Sequence, residues 1–97
     1  MSEVDALLAA SRAEYASRLP SKLAAIEELA ARGAWHEVRR AAHKLRGSAA
    51  TYGFAAVGDA AATLEKLAAD PSPERAALDE AIGRARVEVE RIGGGSR

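Results

Sequence analysis

Apolar residues recur at intervals of three and four along almost the whole of this chain, and that spacing admits helices and little else. Alanine, leucine, glutamate and arginine dominate, while β-branched and aromatic residues are scarce, so no segment reads as a strand. Ninety-seven residues at 48% hydrophobic composition suffice for one modest core, which predicts a single all-α domain.

Helix punctuation divides the pattern. Ser2 can cap a first helix with Asp5 beside it, running through Leu7, Leu8 and Tyr15 toward Leu19. Pro20 lacks an N–H, so the chain is expected to kink there or to restart with proline in a new first turn. A second run carries Leu23, Ile26 and Leu29 on one face and stops at Gly33. A third extends from Ala34 to Tyr52 and stops at Gly53; a fourth, Phe54 to Ala69, turns Val57, Ala60, Ala61, Leu64 and Leu67 inward. Asp70 to Glu74 reads as a turn with Ser72 as cap and Pro73 opening the last helix, which ends near Ile92. Short connections favour antiparallel neighbours. The expected architecture is therefore an antiparallel four-helix bundle with an additional N-terminal helix over residues 1–92, followed by a disordered glycine-rich tail at 93–97.

Charge and composition exclude several functions. Fourteen basic residues balance fourteen acidic ones, so no overall field attracts nucleic acid or an anionic membrane. Without cysteine the chain has neither disulfides nor thiolate chemistry, which suits a reducing compartment; the cytoplasm is the simplest expectation. The acidic N-terminus does not resemble a signal peptide, and charges interrupt every alanine-rich stretch before it reaches bilayer-spanning length. There is no phosphate-binding glycine loop and no nucleophile elbow.

Attention falls on two histidines, His36 and His43, seven residues apart. On one helix they point in similar directions but stand about 10 Å apart along the axis, too far to share a metal ion. Position 40, three before His43, is Arg40 rather than the glutamate of a di-metal bundle, so no metal site is expected. At about 100° per residue, Val38, Ala41, Ala42, Leu45, Ala49 and Tyr52 form the packed side of the third run, with His43 opposite. Arg39, Arg40, Arg46 and Gly47 surround His43 at three- and four-residue spacings, and Ala50 lies two turns beyond. An exposed imidazole ringed by cations and small residues suits phosphoryl exchange: the ring attacks, guanidinium and ammonium groups balance phosphate charge, and glycine permits close approach. The same cations are expected to disfavour protonation of His43, keeping a neutral ring near pH 7.

The stretch Ala42-His43-Lys44-Leu45-Arg46-Gly47-Ser48-Ala49-Ala50, followed by Tyr52-Gly53-Phe54 and Leu64-Glu65, resembles the signature of the histidine phosphotransfer (HPt) domain family. The similarity spans roughly Tyr15 to Leu67 and includes Leu19-Pro20 and the Gly33-Ala34-Trp35 turn. It implies that His43 is the phosphoacceptor, that Arg46 lies beside the phosphoryl with Lys44 adding charge, and that Gly47 clears room for a partner. Arg39, Arg40, Gly47 and Ala50 would meet that partner, and Gly53 would separate the two central helices. Implied partners are response-regulator receiver domains and a hybrid histidine kinase; the receiver supplies Mg²⁺, and the chain needs no cofactor and has no autokinase activity. Where some members place a glutamine, this chain has Glu65, which phosphate would repel unless it bonds the other imidazole nitrogen; its role stays open. Ser48 could donate to phosphate or simply be small.

Competing functions are a non-catalytic helical adaptor, the phosphoacceptor helix pair of a histidine kinase, and nucleic-acid binding through the basic patch. The adaptor needs an exposed apolar groove, and none is obvious from the pattern. The kinase helix pair carries a different motif, and this chain has no room for an ATP-binding domain. The neutral total charge and the lack of a reading motif disfavour nucleic acid. No dimer face is visible, so a monomer is expected. Trp35, Tyr52 and Phe54 are assigned to packing.

Overall fold

The computed structural model describes residues 2–94 as four helices: α1 (Glu3–Ala31), α2 (Trp35–Thr51), α3 (Ala55–Ala68) and α4 (Arg75–Gly94). Each packs against two others, α1 on α2 and α4, and α3 on α2 and α4, so the four close into a ring around one core. Antiparallel order is visible in the contacts. Tyr15 of α1 meets Ser48 near the end of α2, while Arg75 at the start of α4 donates to the carbonyl of Ala30 at the end of α1. The all-α bundle is as the periodicity predicts.

The expected additional helix is a correction: it is not separate but forms the first part of α1, which continues through Pro20. Proline costs a helix one hydrogen bond and a steric adjustment. Here Pro20 is exposed while Leu19 and Leu23 beside it are buried, so packing on either side of the proline holds the helix together. At its start Ser2 Oγ accepts from Asp5 N and the Asp5 carboxylate accepts from Ser2 N, a reciprocal capping box.

Two glycines end helices as expected. Gly33 (φ 71°) and Gly53 (φ 81°) occupy the left-handed region, where a side chain is strained. At each, the glycine N–H and the next residue's N–H fold back onto carbonyls of the last turn: Gly33 to Ala30 and Ala34 to Leu29, Gly53 to Ala50 and Phe54 to Ala49. The start of α4 differs from expectation. Ser72 N donates to Asp70 Oδ1, forming a side-chain turn, and the first helical acceptor is the Glu74 carbonyl, so Ser72 does not cap and Pro73 precedes the helix. The helix also runs past Ile92 through Gly93 and Gly94, which the sequence pattern had placed in the tail; residues 95–97 of that tail lie outside the described residues.

The core follows the apolar stripes: Tyr15, Leu19, Leu23, Ile26 and Ala30 from α1, Val38, Ala42, Leu45 and Ala49 from α2, and Val57, Ala60, Ala61 and Leu64 from α3. Leu67 and Trp35 are only partly buried against it. Small residues bring α2 and α3 close together. Gly58 is buried at their crossing, where an added Cβ would lie 3.6 Å from the Arg46 carbonyl oxygen and 3.8 Å from Ala49 Cβ. That proximity brings a residue of α3 within reach of the exposed face of α2. Among the described residues no helix is long and apolar enough to cross a membrane.

Candidate functional site

His43 projects from the middle of α2 on the side opposite Ala42, Leu45 and Ala49, with its side chain 63% exposed. The burial of Leu45 and Ala49 orients the helix, and the orientation forces His43 outward. Glu65, one residue after buried Leu64 on α3, meets it: the carboxylate Oε2 lies 2.9 Å from His43 Nδ1, and Oε1 accepts from Arg46 Nε at 2.8 Å. One carboxylate thus holds a residue of α2 with each oxygen.

These contacts select a ring tautomer. Arg46 Nη2 also lies 3.2 Å from His43 Nδ1, and Nδ1 cannot both accept from arginine and donate to glutamate. The contact to Glu65 is shorter and pairs a donor with an anion, so Nδ1 carries the proton and the arginine approach is mere proximity. In the neutral ring Nε2 then keeps the lone pair. The same geometry acts on Glu65, whose carboxyl pKa is lowered from its ordinary value, first by the hydrogen bond from His43, which outweighs the opposing desolvation, and further by the neighbouring charge and hydrogen bond of Arg46.

A shallow groove beside the ring is lined by His36, Arg39, Arg40, His43, Lys44 and Glu65. Among the described residues Arg39, Arg40 and Lys44 form no ion pair, so their charge faces solvent uncompensated. A second groove on the other side of Glu65 joins Arg39 and Arg46 to Lys66. Lys66 is a cation that the sequence reading missed. Its adjacency to Glu65 was the available signal, but only the packing of α3 on α2 brings it beside Arg46. His36 lines the first groove with His43.

The remaining candidates separate. Gly47 and Ala50 are exposed on the His43 side, and a Cβ added at Gly47 would meet nothing within 4 Å. Ser48 faces away: its Oγ lies 2.6 Å from the hydroxyl of buried Tyr15 and donates weakly to the Leu45 carbonyl at 3.4 Å. It stands about 140° around the helix from His43, which accounts for the difference. Tyr52 stacks on Tyr15 at 4.4 Å, and Phe54 lies 6.0 Å from the same ring, in the packing roles expected of them.

The structure is a ring of four antiparallel helices that carries an outward histidine on α2, its Nδ1 tied to α3 through Glu65. The model of the Hpt domain family matches residues 10–93, nearly the whole of the described chain, and the protein belongs to that family. Among curated proteins and among solved structures no match is found. Domains of this family carry phosphoryl groups on histidine in phosphorelays, engage receiver domains, and are carriers without kinase activity.

Proposed function

We propose that His43 accepts a phosphoryl group from the aspartyl phosphate of one response-regulator receiver domain and passes it to the aspartate of another. The observation that carries this is the Glu65 bridge, which engages Nδ1 of an exposed ring and leaves Nε2 outside the bridge as the nitrogen available for attack. In the forward step the Nε2 lone pair forms an N–P bond as the bond from phosphorus to the donor carboxylate oxygen breaks, and the carboxylate departs as an anion. The ring gains positive charge while Nδ1–H stays bonded to Glu65, so the carboxylate opposes that charge without touching phosphate. The return step is the reverse, onto a different aspartate.

Arg46, placed beside Nδ1 and anchored by Glu65, and Lys44 balance the charge of the transferred group. Arg39, Arg40, Gly47 and Ala50 form the surface that a receiver meets. Glycine within a helix costs about 1 kcal/mol relative to alanine, and nothing in the packing asks for it at Gly47, so its smallness serves the approach of a partner. The chain brings no cofactor of its own; Mg²⁺ comes with the receiver, a hybrid histidine kinase stands upstream, and the relay works in the cytoplasm. The test incubates the chain, and a His43→Gln variant, with a receiver charged by acetyl phosphate in Mg²⁺. Acid-labile phosphate is expected on the wild type alone. A folded wild-type chain that a broad panel of receivers fails to label refutes the proposal and leaves a non-catalytic adaptor.

A further inference from the structure

Side chains of an α-helix lean toward its N-terminus, over the turn three and four residues back. His43 therefore leans over Arg39 and Arg40, which at about 100° per residue stand about 40° to one side of it and about 60° to the other. The groove beside the ring lies on that side: Arg39 and Arg40 line it together with His36 and Lys44, whereas Arg46 lines the groove beyond Glu65. Arg46 is also committed elsewhere. Its Nε donates to Glu65 and its Nη2 stands 3.2 Å from Nδ1, which holds it at the ring edge away from Nε2. Arg39 and Arg40 are exposed and, among the described residues, neither forms an ion pair. Arg40 and Lys44 carry like charge four residues apart, an arrangement that destabilises a helix and that an anion seated between them relieves.

We propose that Arg39 and Arg40 contact the phosphoryl group on Nε2 directly, one guanidinium on each side, rather than serving only to dock a partner. This rests on His43 being the phosphoacceptor. As the new N–P bond forms and the donor's P–O bond breaks, negative charge spreads over the three oxygens in the plane of the phosphorus. Two unpaired guanidinium forks, approaching from opposite sides of the ring, meet those oxygens with charge-assisted hydrogen bonds. Glu65 stays at the Nδ1 edge and so is kept off the phosphoryl, and Arg46 beside it acts at longer range.

A donor too small to need a docking surface separates contact from docking. With phosphoramidate, the Nε2 lone pair displaces ammonia from the N-protonated donor; the donor's P–N bond breaks as the ring N–P bond forms, and Nδ1 keeps its proton on Glu65. Labelling of the full chain by phosphoramidate is followed by ³¹P NMR, with His43→Gln as the blank. Arg39→Gln and Arg40→Gln are each expected to slow labelling about threefold, and the double variant about tenfold, with unchanged helicity and a displaced phosphorus resonance. Arg91→Gln removes the same charge from α4, the helix across the ring from α2, where its side chain is 71% exposed, and is expected to change neither rate nor resonance. Raising the salt to about 1 M, where charges are screened beyond about 3 Å, is expected to bring the wild type toward the double variant.

A folded chain that phosphoramidate does not label, labelling on Nδ1, or equal rates in the wild type and the double variant overturns the proposal. Equal phosphoramidate rates combined with slower transfer from a receiver also overturn it and leave Arg39 and Arg40 to docking alone. If every receiver fails while phosphoramidate labelling shows the expected losses, the relay is refuted and the phosphoryl contact stands.

Discussion

Replacing Ser48 with alanine is expected to destabilise the bundle and leave phosphotransfer intact, although Ser48 lies within the motif around His43. Its hydroxyl and that of Tyr15 are 2.6 Å apart, and Tyr15 is only 2% exposed. The two bonds of Ser48 are consistent when Tyr15 donates to Ser48 and Ser48 donates onward to Leu45. Ser48→Ala removes the acceptor and strands a buried phenolic hydroxyl, which costs about 1–3 kcal/mol. Tyr15→Phe instead removes the buried donor and leaves Ser48 its weaker bond to Leu45, so the loss is about 0.5–1.5 kcal/mol, with the stack on Tyr52 retained. The double variant has no stranded hydroxyl and should cost about as much as Tyr15→Phe alone, giving a coupling as large as the Ser48→Ala cost itself, about 1–3 kcal/mol. For a domain of this size each kcal/mol moves Tm by about 4–8 °C. Urea and thermal unfolding followed by far-UV circular dichroism measure the cycle, and transfer from a charged receiver measures function. Additive single effects, or a slowed transfer in Ser48→Ala without loss of Tm, would refute the reasoning and return Ser48 to the phosphate.

Two further outcomes concern Glu65. Its two oxygens accept from two donors, and an amide has only one acceptor, so Glu65→Gln must turn its NH₂ toward either Arg46 or His43. Facing His43, it donates to Nδ1 and moves the ring proton to Nε2; slower phosphoryl acceptance and a changed tautomer in ¹⁵N NMR are expected, and wild-type rate and tautomer would count against the bridge. The Glu65 carboxyl is also held below the ordinary range, so the folded chain binds fewer protons there than the unfolded chain. Its contribution to stability is complete above the ordinary carboxylate pKa and fades as pH falls through the lowered folded value. A side-chain carboxyl NMR titration should show Glu65 protonating below the ordinary glutamate value; a midpoint at that value would contradict the geometry.

Helix identity, the stops at Gly33 and Gly53, the Ser2 cap and the outward face carrying His43 were legible from residue order, because each depends on contacts within a few positions along the chain. So was the resemblance carried by His43, Arg46 and Gly47, since those residues share one helix. The behaviour of Pro20 was not: a local rule predicts a break, and the burial of Leu19 and Leu23 against other helices overrides it. The start of α4 shifted because Asp70 turned back on Ser72, a local competition that a capping pattern alone does not decide. Ser48, Glu65 and Lys66 mark the deeper limit. Whether Ser48 serves phosphate or Tyr15, and whether a carboxylate beside a phosphoacceptor repels or orients, depends on distances between helices. The sequence by itself determined which segments are helical, which faces they bury and that His43 stands on the exposed side of its helix. Tertiary structure alone decided which α3 residue meets that histidine and which nitrogen keeps its lone pair, because helix periodicity fixes direction around an axis but not what stands across from it.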